Sequence, residues 1–258
     1  MINYKKFYKE ENRETILFIH AFGGNSNVFK KQIDDFSKKY NIILIDLRSH
    51  GLSKDVKLTD LKSPTIEKIA EEIIELLDLL KIDKVHLLGL SIGTMIIAVL
   101  TTMIKKRILS VIALGNTTSF NNTARILLKT GYIFKNFISF KFLYICFVNI
   151  LIPKSNHKLS RKMFIREATK MDRKEFIAWY KIIIDFEKFH PVSSFHNNIP
   201  KLFVMGDSDH MFLKPTIKFA KEDENSEIHV IKNGGHIINI DCPDEVNKIS
   251  LNFLKNLK

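Results

Sequence analysis

Short apolar runs alternate with amphipathic stretches along most of this chain. Six runs of about five residues have the length of buried strands: 15–19, 42–45, 85–89, 110–114, 201–205 and 227–231. The stretches that follow them carry apolar residues at helical spacing: about 26–39, 64–81, 94–105, 215–222 and 243–254. Residues 1–14 have room for at most one short hairpin at a sheet edge. The alternation predicts an α/β fold, with a mostly parallel sheet and helices on both faces.

This alternation stops between residues 117 and 196. The segment has no clear strand and is rich in apolar and aromatic residues, so it predicts an all-helical cap inserted into a core formed by 1–116 and 197–258. Its apolar run at 142–152 is shorter than the roughly 20 residues that a membrane span needs. We interpret the run as a core or lid helix rather than as a lysine-flanked helix lying on a membrane.

The composition of the chain is ordinary except for a strong positive net charge. The 258 residues are 45% hydrophobic and 26% charged, as in ordinary globular proteins, and the net charge is +12. Such a charge suits an acidic partner, but lysines occur in nearly every segment and no nucleic-acid-binding module is visible. We therefore expect a generally basic surface and no nucleic-acid partner. A substrate acyl group carried on an acidic protein is a hypothesis that the charge leaves open.

The cysteines, the N-terminus and the spacing of histidines and glycines indicate the cellular compartment and whether a metal ion or cofactor is bound. Cys146 and Cys242 lie far apart without metal-type spacing, and the first six residues lack the apolar core of a signal peptide. The sequence contains no H-x-x-x-H or H-x-H pattern, and no G-x-G-x-x-G follows the first strand. We expect a cytoplasmic protein that uses neither a metal ion nor a cofactor.

The most informative motif lies where the third predicted strand meets its helix. Residues 89–93 read Gly-Leu-Ser-Ile-Gly, and a G-x-S-x-G sequence between a strand and a helix is typical of a nucleophile elbow. The sharp turn strains Ser91 and lifts its hydroxyl clear of the sheet, while glycine at positions 89 and 93 lets the backbones come close. A glycine-rich turn with an incidental serine is the alternative interpretation.

Residues that suit a serine nucleophile follow two later strands. A serine hydroxyl needs a base, and the base needs a group that holds its ring. His236 follows the last predicted strand, and Asp209 follows the strand before it. Since these strand ends share the carboxyl edge of the sheet, Ser91, Asp209 and His236 are candidates for a catalytic triad. Asp207 competes with Asp209 as the acid, and the motif favours Asp209.

Four motifs in this order resemble the α/β-hydrolase superfamily over about 15–116 and 200–257. They are His-Ala-Phe-Gly-Gly, similar to the family's H-G-x-G-G loop, Asp-Leu-Arg-Ser-His-Gly-Leu-Ser, similar to its D-x-R-G-x-G-x-S segment, and the loops that end in Asp209 and His236. The resemblance implies an α/β-hydrolase fold with a helical cap. It also implies that the backbone N–H groups of Phe22 and Ile92 form an oxyanion hole.

The chain departs from the family pattern at Ala21 and Ser49, where glycine is usual. Ala21 narrows the backbone freedom beside an oxyanion donor, and we expect the change to be tolerated. Three other histidines lie within these motifs or next to them. We expect His20 and His50 to be structural or to lie at the rim of the site, and His210 to point away from the site.

These residues together predict a serine hydrolase that cleaves an ester through an acyl-enzyme. The aromatic cap favours a small-molecule substrate with an apolar acyl group, and we expect no peripheral membrane contact. A thioesterase and a carbon–carbon bond hydrolase or lyase of the same fold are alternatives. A further alternative is a protein of the same fold that binds a ligand in its pocket and catalyses no reaction.

Overall fold

The computed structural model describes residues 1–257, apart from the side chain of Val192. Seven strands form one sheet within this range: β1 (Tyr4–Phe7), β2 (Thr15–Ile19), β3 (Asn41–Ile45), β4 (Val85–Leu90), β5 (Ile108–Leu114), β6 (Lys201–Gly206) and β7 (Ser226–Ile231). Their order is β1-β3-β2-β4-β5-β6-β7, and β1 alone of the seven runs antiparallel to its neighbour. The predicted mostly parallel sheet is confirmed.

The N-terminal residues form a single edge strand and not a hairpin. β1 pairs with β3, with Tyr4 opposite Ile45 and Phe7 opposite Ile42. Since β3 lies between β1 and β2, the two strands nearest in sequence do not pair with each other. The exposed and half-buried residues of β1, which include two lysines, suit an edge that must not recruit another strand.

Ten α-helices lie in the described part of the chain. They are α1 (Lys30–Phe36), α2 (Ile66–Leu79), α3 (Ile92–Met103), α4 (Asn122–Phe134), α5 (Phe140–Leu151), α6 (Lys158–Ala168), α7 (Arg173–Phe189), α8 (Leu213–Glu222), α9 (Ile238–Asp241) and α10 (Pro243–Asn256). Short 3-10 helices occur at Ser26–Phe29, Gly51–Ser53, Leu58–Asp60, Lys105–Arg107, Ser155–His157 and Val192–Phe195. None of the described helices is both long and apolar enough to cross a membrane.

The helices begin and end within a few residues of the predicted positions. α2 starts two residues after Pro64, because the Thr65 hydroxyl accepts a hydrogen bond from the N–H of Lys68 and so caps the helix. The helix predicted at 26–39 begins with a 3-10 turn, and α1 itself covers only Lys30–Phe36.

The sheet is buried on both faces. Every residue of β2, β3, β4 and β6 is buried, which requires cover above and below a pleated strand. Two separate groups of helices supply that cover: α2 packs against α3, and α1 packs against α9 and α10. Because the central strands are parallel, the loops that follow β2, β3, β4, β5, β6 and β7 all leave from one edge.

The segment between β5 and β6 contains helices α4 to α7 and no strand among its described residues. Hydrogen bonds join it to the core at several points. The indole N–H of Trp179 donates to the Arg48 carbonyl oxygen at 3.1 Å, and the Glu175 carboxylate accepts the Leu58 N–H at 2.7 Å. The boundaries of a separate cap domain at 117–196 stay a prediction.

Candidate active site

Ser91, His236 and Asp209 come together at the carboxyl edge of the sheet. The His236 Nε2 lies 2.9 Å from the Ser91 Oγ, and the His236 Nδ1 lies 2.7 Å from the Asp209 Oδ2. Both are hydrogen-bond distances. Asp209 and His236 are 0% and 1% exposed, whereas Ser91 is half-buried. The arrangement can therefore pass a proton from the hydroxyl to the imidazole while a water-shielded carboxylate holds the ring.

The competing carboxylate, Asp207, is exposed. It accepts a hydrogen bond from the Ser208 hydroxyl at 2.8 Å, and this bond lowers the pKa of Asp207. Of the two acids in this loop, Asp209 is therefore the one whose oxygen reaches the imidazole.

The turn between β4 and α3 has the strained geometry of a nucleophile elbow. Ser91 has φ 52° and ψ −119°, a conformation that costs a residue other than glycine on the order of 1–3 kcal/mol. A Cβ on Gly89 would lie 2.8 Å from the Gly93 carbonyl carbon, and a Cβ on Gly93 would meet the Ile19 carbonyl oxygen. The two glycines therefore allow strand and helix to approach closely enough to hold Ser91 at the top of the turn.

The loop after β2 is held on two sides. The Gly23 N–H donates to the His50 Nε2 at 3.0 Å, and the Phe22 carbonyl accepts a hydrogen bond from the Tyr144 hydroxyl at 3.3 Å. Within residues 1–257, the N–H groups of Phe22 and Ile92 donate to no protein acceptor, and both residues line the cavity beside Ser91. Ile92 is also the first residue of α3, where a helix presents free N–H groups and a partial positive charge.

The cavity beside Ser91 is small and apolar. It encloses about 60 Å³ between side chains of α3 in the core and of α4 and α5 in the cap. The lining side chains that carry polar atoms are those of Ser91, Thr117, Tyr144 and His236. The cavity therefore suits an apolar group joined to a carbon that the Ser91 hydroxyl can attack.

One family model matches part of this sequence, and its description agrees with the fold. The model, described as alpha/beta hydrolase fold, matches residues 14–139, which contain both the loop after β2 and the elbow. The chain is similar to the α/β-hydrolase superfamily in sequence over these residues, and it has the fold of that superfamily. The resemblance predicted from the four motifs is thereby confirmed.

Similar proteins of this superfamily carry several names. The 3-oxoadipate enol-lactonase 1 of Acinetobacter baylyi is 29% identical over 83 residues, which are 32% of this chain and 29% of that protein. The match thus spans less than a third of that curated relative. The solved structure of the enol-lactonase from Burkholderia xenovorans LB400 has a TM-score of 0.83 at 18% identity and covers 98% of this chain and 96% of its own. MenH from S. aureus has a TM-score of 0.82 at 18% identity, with 100% and 99% covered. At this identity the solved structures show the fold alone.

The two departures of this chain from the family pattern have different structural reasons. Ala21 has no positive φ, and its side chain is buried in the core, so the position does not require glycine. Ser49 does have a positive φ, of 66°. Its hydroxyl accepts the Leu58 N–H at 3.0 Å and donates to the Glu175 carboxylate, so the strained serine bonds the core to the cap.

His20, in the loop after β2, and His50, beside that loop, are both buried and accept hydrogen bonds from backbone N–H groups. The His20 Nε2 accepts the Leu47 N–H at 2.9 Å, as the His50 Nε2 accepts the Gly23 N–H. Burial lowers the pKa of His20, and burial together with the neighbouring His20 lowers the pKa of His50 to about 3. Both rings therefore hold the loop in place as neutral acceptors. His210 is exposed.

The buried His50 predicts that stability falls as the pH is lowered from about 6.5 towards 4. Above pH 6.5 the ring is neutral in the folded and the unfolded chain alike. Below it, the unfolded chain binds a proton that the folded ring, with its pKa of about 3, does not bind. The free energy of unfolding should then fall by up to about 1.4 kcal/mol per pH unit for this histidine.

Thermal unfolding of the wild type and His50→Gln across that pH range measures the effect. Glutamine offers an acceptor oxygen but does not titrate, so the variant should lose stability less steeply on acidification. The other titrating groups are common to both proteins and cancel in the comparison. Equal slopes would contradict the assigned role of His50.

Sequence reasoning missed three residues around the site. Gly115 follows β5 with φ 52°, and a Cβ there would meet the His236 carbonyl oxygen. Phe212 packs beside the His236 ring at 5.1 Å between centroids and donates its N–H to Asp209 at 3.3 Å. Tyr144 bonds to the loop after β2 as described. A glycine directly after a buried strand was a usable signal for Gly115, whereas Phe212 and Tyr144 resemble any other aromatic residue of the sequence.

Asp241 anchors the loop that carries His236. Its Oδ2 accepts the Gly235 N–H at 3.1 Å and lies 3.9 Å from the His157 Nε2. Burial raises the pKa of Asp241. Across the part of the chain that the structure describes, no group of three or more His, Cys, Asp or Glu side chains is arranged to hold a metal ion.

Proposed function

We propose that this α/β-hydrolase is a serine esterase that cleaves a carboxylic ester with an apolar acyl group through an acyl-enzyme. The hydrogen-bonded chain from Ser91 through His236 to Asp209 supports this proposal most strongly, because it supplies a nucleophile, a base and a group that orients the base. Two similar proteins are named enol-lactonases, and a lactone is a cyclic ester. Their names favour ester bonds over the alternatives.

In the first half of the proposed reaction, the Ser91 Oγ attacks the ester carbonyl carbon while the His236 Nε2 takes the hydroxyl proton. The negative charge that develops on the carbonyl oxygen is stabilised by the N–H groups of Phe22 and Ile92. One such donor is typically worth about 10²–10³ in turnover. Asp209 accepts the Nδ1–H of His236, which keeps Nε2 free to act as the base.

The first half ends when the tetrahedral intermediate collapses and His236 returns the proton to the departing alkoxide. The product is an alcohol and an acyl group esterified to Ser91. In the second half, a water molecule gives a proton to His236 and attacks the acyl carbon, and His236 then returns the proton to the Ser91 oxygen as the carboxylic acid leaves. The same base therefore serves both half-reactions.

Labelling with a fluorophosphonate tests the proposal. Ser91 attacks phosphorus, fluoride leaves, and a stable phosphonyl ester forms on the peptide that contains residue 91. Mass spectrometry should find this adduct on the wild type and not on Ser91→Ala. An unlabelled wild type would contradict the proposal and favour a ligand-binding protein without turnover. A higher kcat/KM on a thioester than on the matched oxygen ester would instead favour the thioesterase alternative.

A further inference from the structure

A second cavity, here called the far chamber, lies beside the cavity at Ser91. It encloses about 230 Å³, against about 60 Å³ at Ser91. Side chains of α4, α5 and α7 line it, and neither Ser91 nor His236 does. The proposed chemistry at Ser91 therefore does not account for the far chamber.

The two cavities share one wall. Five side chains face both spaces: Phe22, Leu128, Tyr144, Phe147 and Ile183. Because the same side chains line both spaces, a single layer of side chains separates them. Two of these side chains, Phe147 and Ile183, are half-buried and apolar, so no side-chain hydrogen bond fixes their rotamers.

The far chamber is uncharged. Among the described residues that line it, none is Lys, Arg, His, Asp or Glu. Its tyrosine hydroxyls already have acceptors: Tyr144 donates to the Phe22 carbonyl at 3.3 Å, and Tyr180 donates to the Leu128 carbonyl at 2.9 Å. Burial raises the pKa of Tyr144 and raises that of Tyr180 to about 12, so both stay neutral. Such a lining favours a hydrocarbon and offers little to a sugar or a nucleotide.

The far chamber opens to solvent between α4 and α5. Two residues of its lining are strongly exposed, Phe134 at 46% and Phe142 at 57%, and they form the rim of this opening. A chain that runs from Ser91 through the far chamber therefore does not meet a closed end.

Volume sets the length of chain that each cavity holds. At about 30 Å³ for each water-sized group, the 60 Å³ at Ser91 hold on the order of two such groups, and the 230 Å³ of the far chamber hold on the order of eight more. A short acyl group fills the first cavity. A long one needs the second.

We propose that the far chamber binds the distal part of a long, unbranched acyl chain whose carbonyl carbon lies at Ser91. The preferred substrates are then long-chain esters, an inference that rests on the proposed esterase function. Each buried methylene raises affinity by up to about fourfold, so a chain that enters the far chamber gains strongly over one that stops at the shared wall.

The test is a series of p-nitrophenyl esters from butanoate to dodecanoate, with variants that fill the far chamber. Cys146 on α5 and Leu127 on α4 line the far chamber and not the cavity at Ser91. The wild type should prefer dodecanoate over butanoate by about tenfold or more in kcat/KM. Cys146→Trp and Leu127→Trp should each lower kcat/KM on dodecanoate at least tenfold and leave that on butanoate within twofold. Asn149→Trp adds the same bulk at an exposed position of α5 and should change neither rate.

Two results separate this inference from the proposed function. If the wild type hydrolyses butanoate but both tryptophan variants keep the wild-type rate on dodecanoate, the far chamber is not the chain site and the esterase proposal stands. If no ester is hydrolysed, binding decides: cis-parinaric acid, a fluorescent long-chain fatty acid, should bind to Ser91→Ala at least tenfold more tightly than to Ser91→Ala with Cys146→Trp or Leu127→Trp. Equal affinities would overturn the inference. Thermal unfolding of each variant identifies any that fails to fold, and the variant from the opposite wall then carries the test.

Discussion

Replacing Ser91 by alanine is expected to lower kcat/KM on p-nitrophenyl butanoate by roughly 10⁴–10⁶-fold. The variant loses the oxygen that attacks the substrate, while His236, Asp209 and the free N–H groups at the oxyanion position keep their places. The backbone strain at φ 52° is about the same for alanine as for serine, so the fold should be retained. Steady-state hydrolysis gives the rate, and thermal unfolding shows that stability is unchanged.

Ser208→Ala is the matched control for that substitution. Ser208 lies on the loop that also carries Asp209, and its hydroxyl bonds to Asp207 and to Lys154. Removing this hydroxyl should leave kcat/KM within about twofold, because Ser208 bonds only to groups outside the proposed triad. If Ser91→Ala kept a tenth of the wild-type activity, or if Ser208→Ala lost as much, Ser91 would not be the nucleophile.

The meeting of Ser91, Asp209 and His236 could be anticipated from sequence because two simple rules act together. Alternating strands and helices make a parallel sheet, and all parallel strands end at one edge. Residues that follow different strands are thus brought to the same place, although 118 positions separate Ser91 from Asp209. The glycines at 89 and 93 indicated the sharp turn at Ser91, because the close approach of strand and helix that they allow depends only on neighbouring residues.

The contacts between cap and core could not be anticipated in the same way. Helical periodicity shows which face of a helix is buried, but it does not show what that face meets. The bond between Ser49 and Glu175, the place of Tyr144 against the loop after β2, and the far chamber all depend on how the four cap helices lie on the core. The role of His50 could not be predicted for a related reason. Its hydrogen-bond donor is a backbone N–H, which any residue other than proline supplies, so the sequence does not identify it.

The second large effect on kcat/KM is expected when Asp209, rather than Asp207, is replaced. Asp209→Asn is expected to lower kcat/KM about 10²–10⁴-fold, with little change in fold. The Asp209 carboxylate accepts a hydrogen bond from the His236 Nδ1, which leaves Nε2 unprotonated and facing the Ser91 hydroxyl. An asparagine amide can donate to Nδ1 instead, which favours the tautomer with its proton on Nε2. It also removes the charge that stabilises the imidazolium during attack.

Asp207→Asn provides the comparison, because it makes the same chemical change two residues away at an exposed position. This variant should keep kcat/KM within about twofold, since the Asp207 carboxylate bonds to Ser208 and not to the imidazole. Hydrolysis of one activated ester by the two variants and the wild type is sufficient. A large loss in Asp207→Asn with a small loss in Asp209→Asn would reverse the assignment of the acid. Equal small losses would mean that neither carboxylate orients the base.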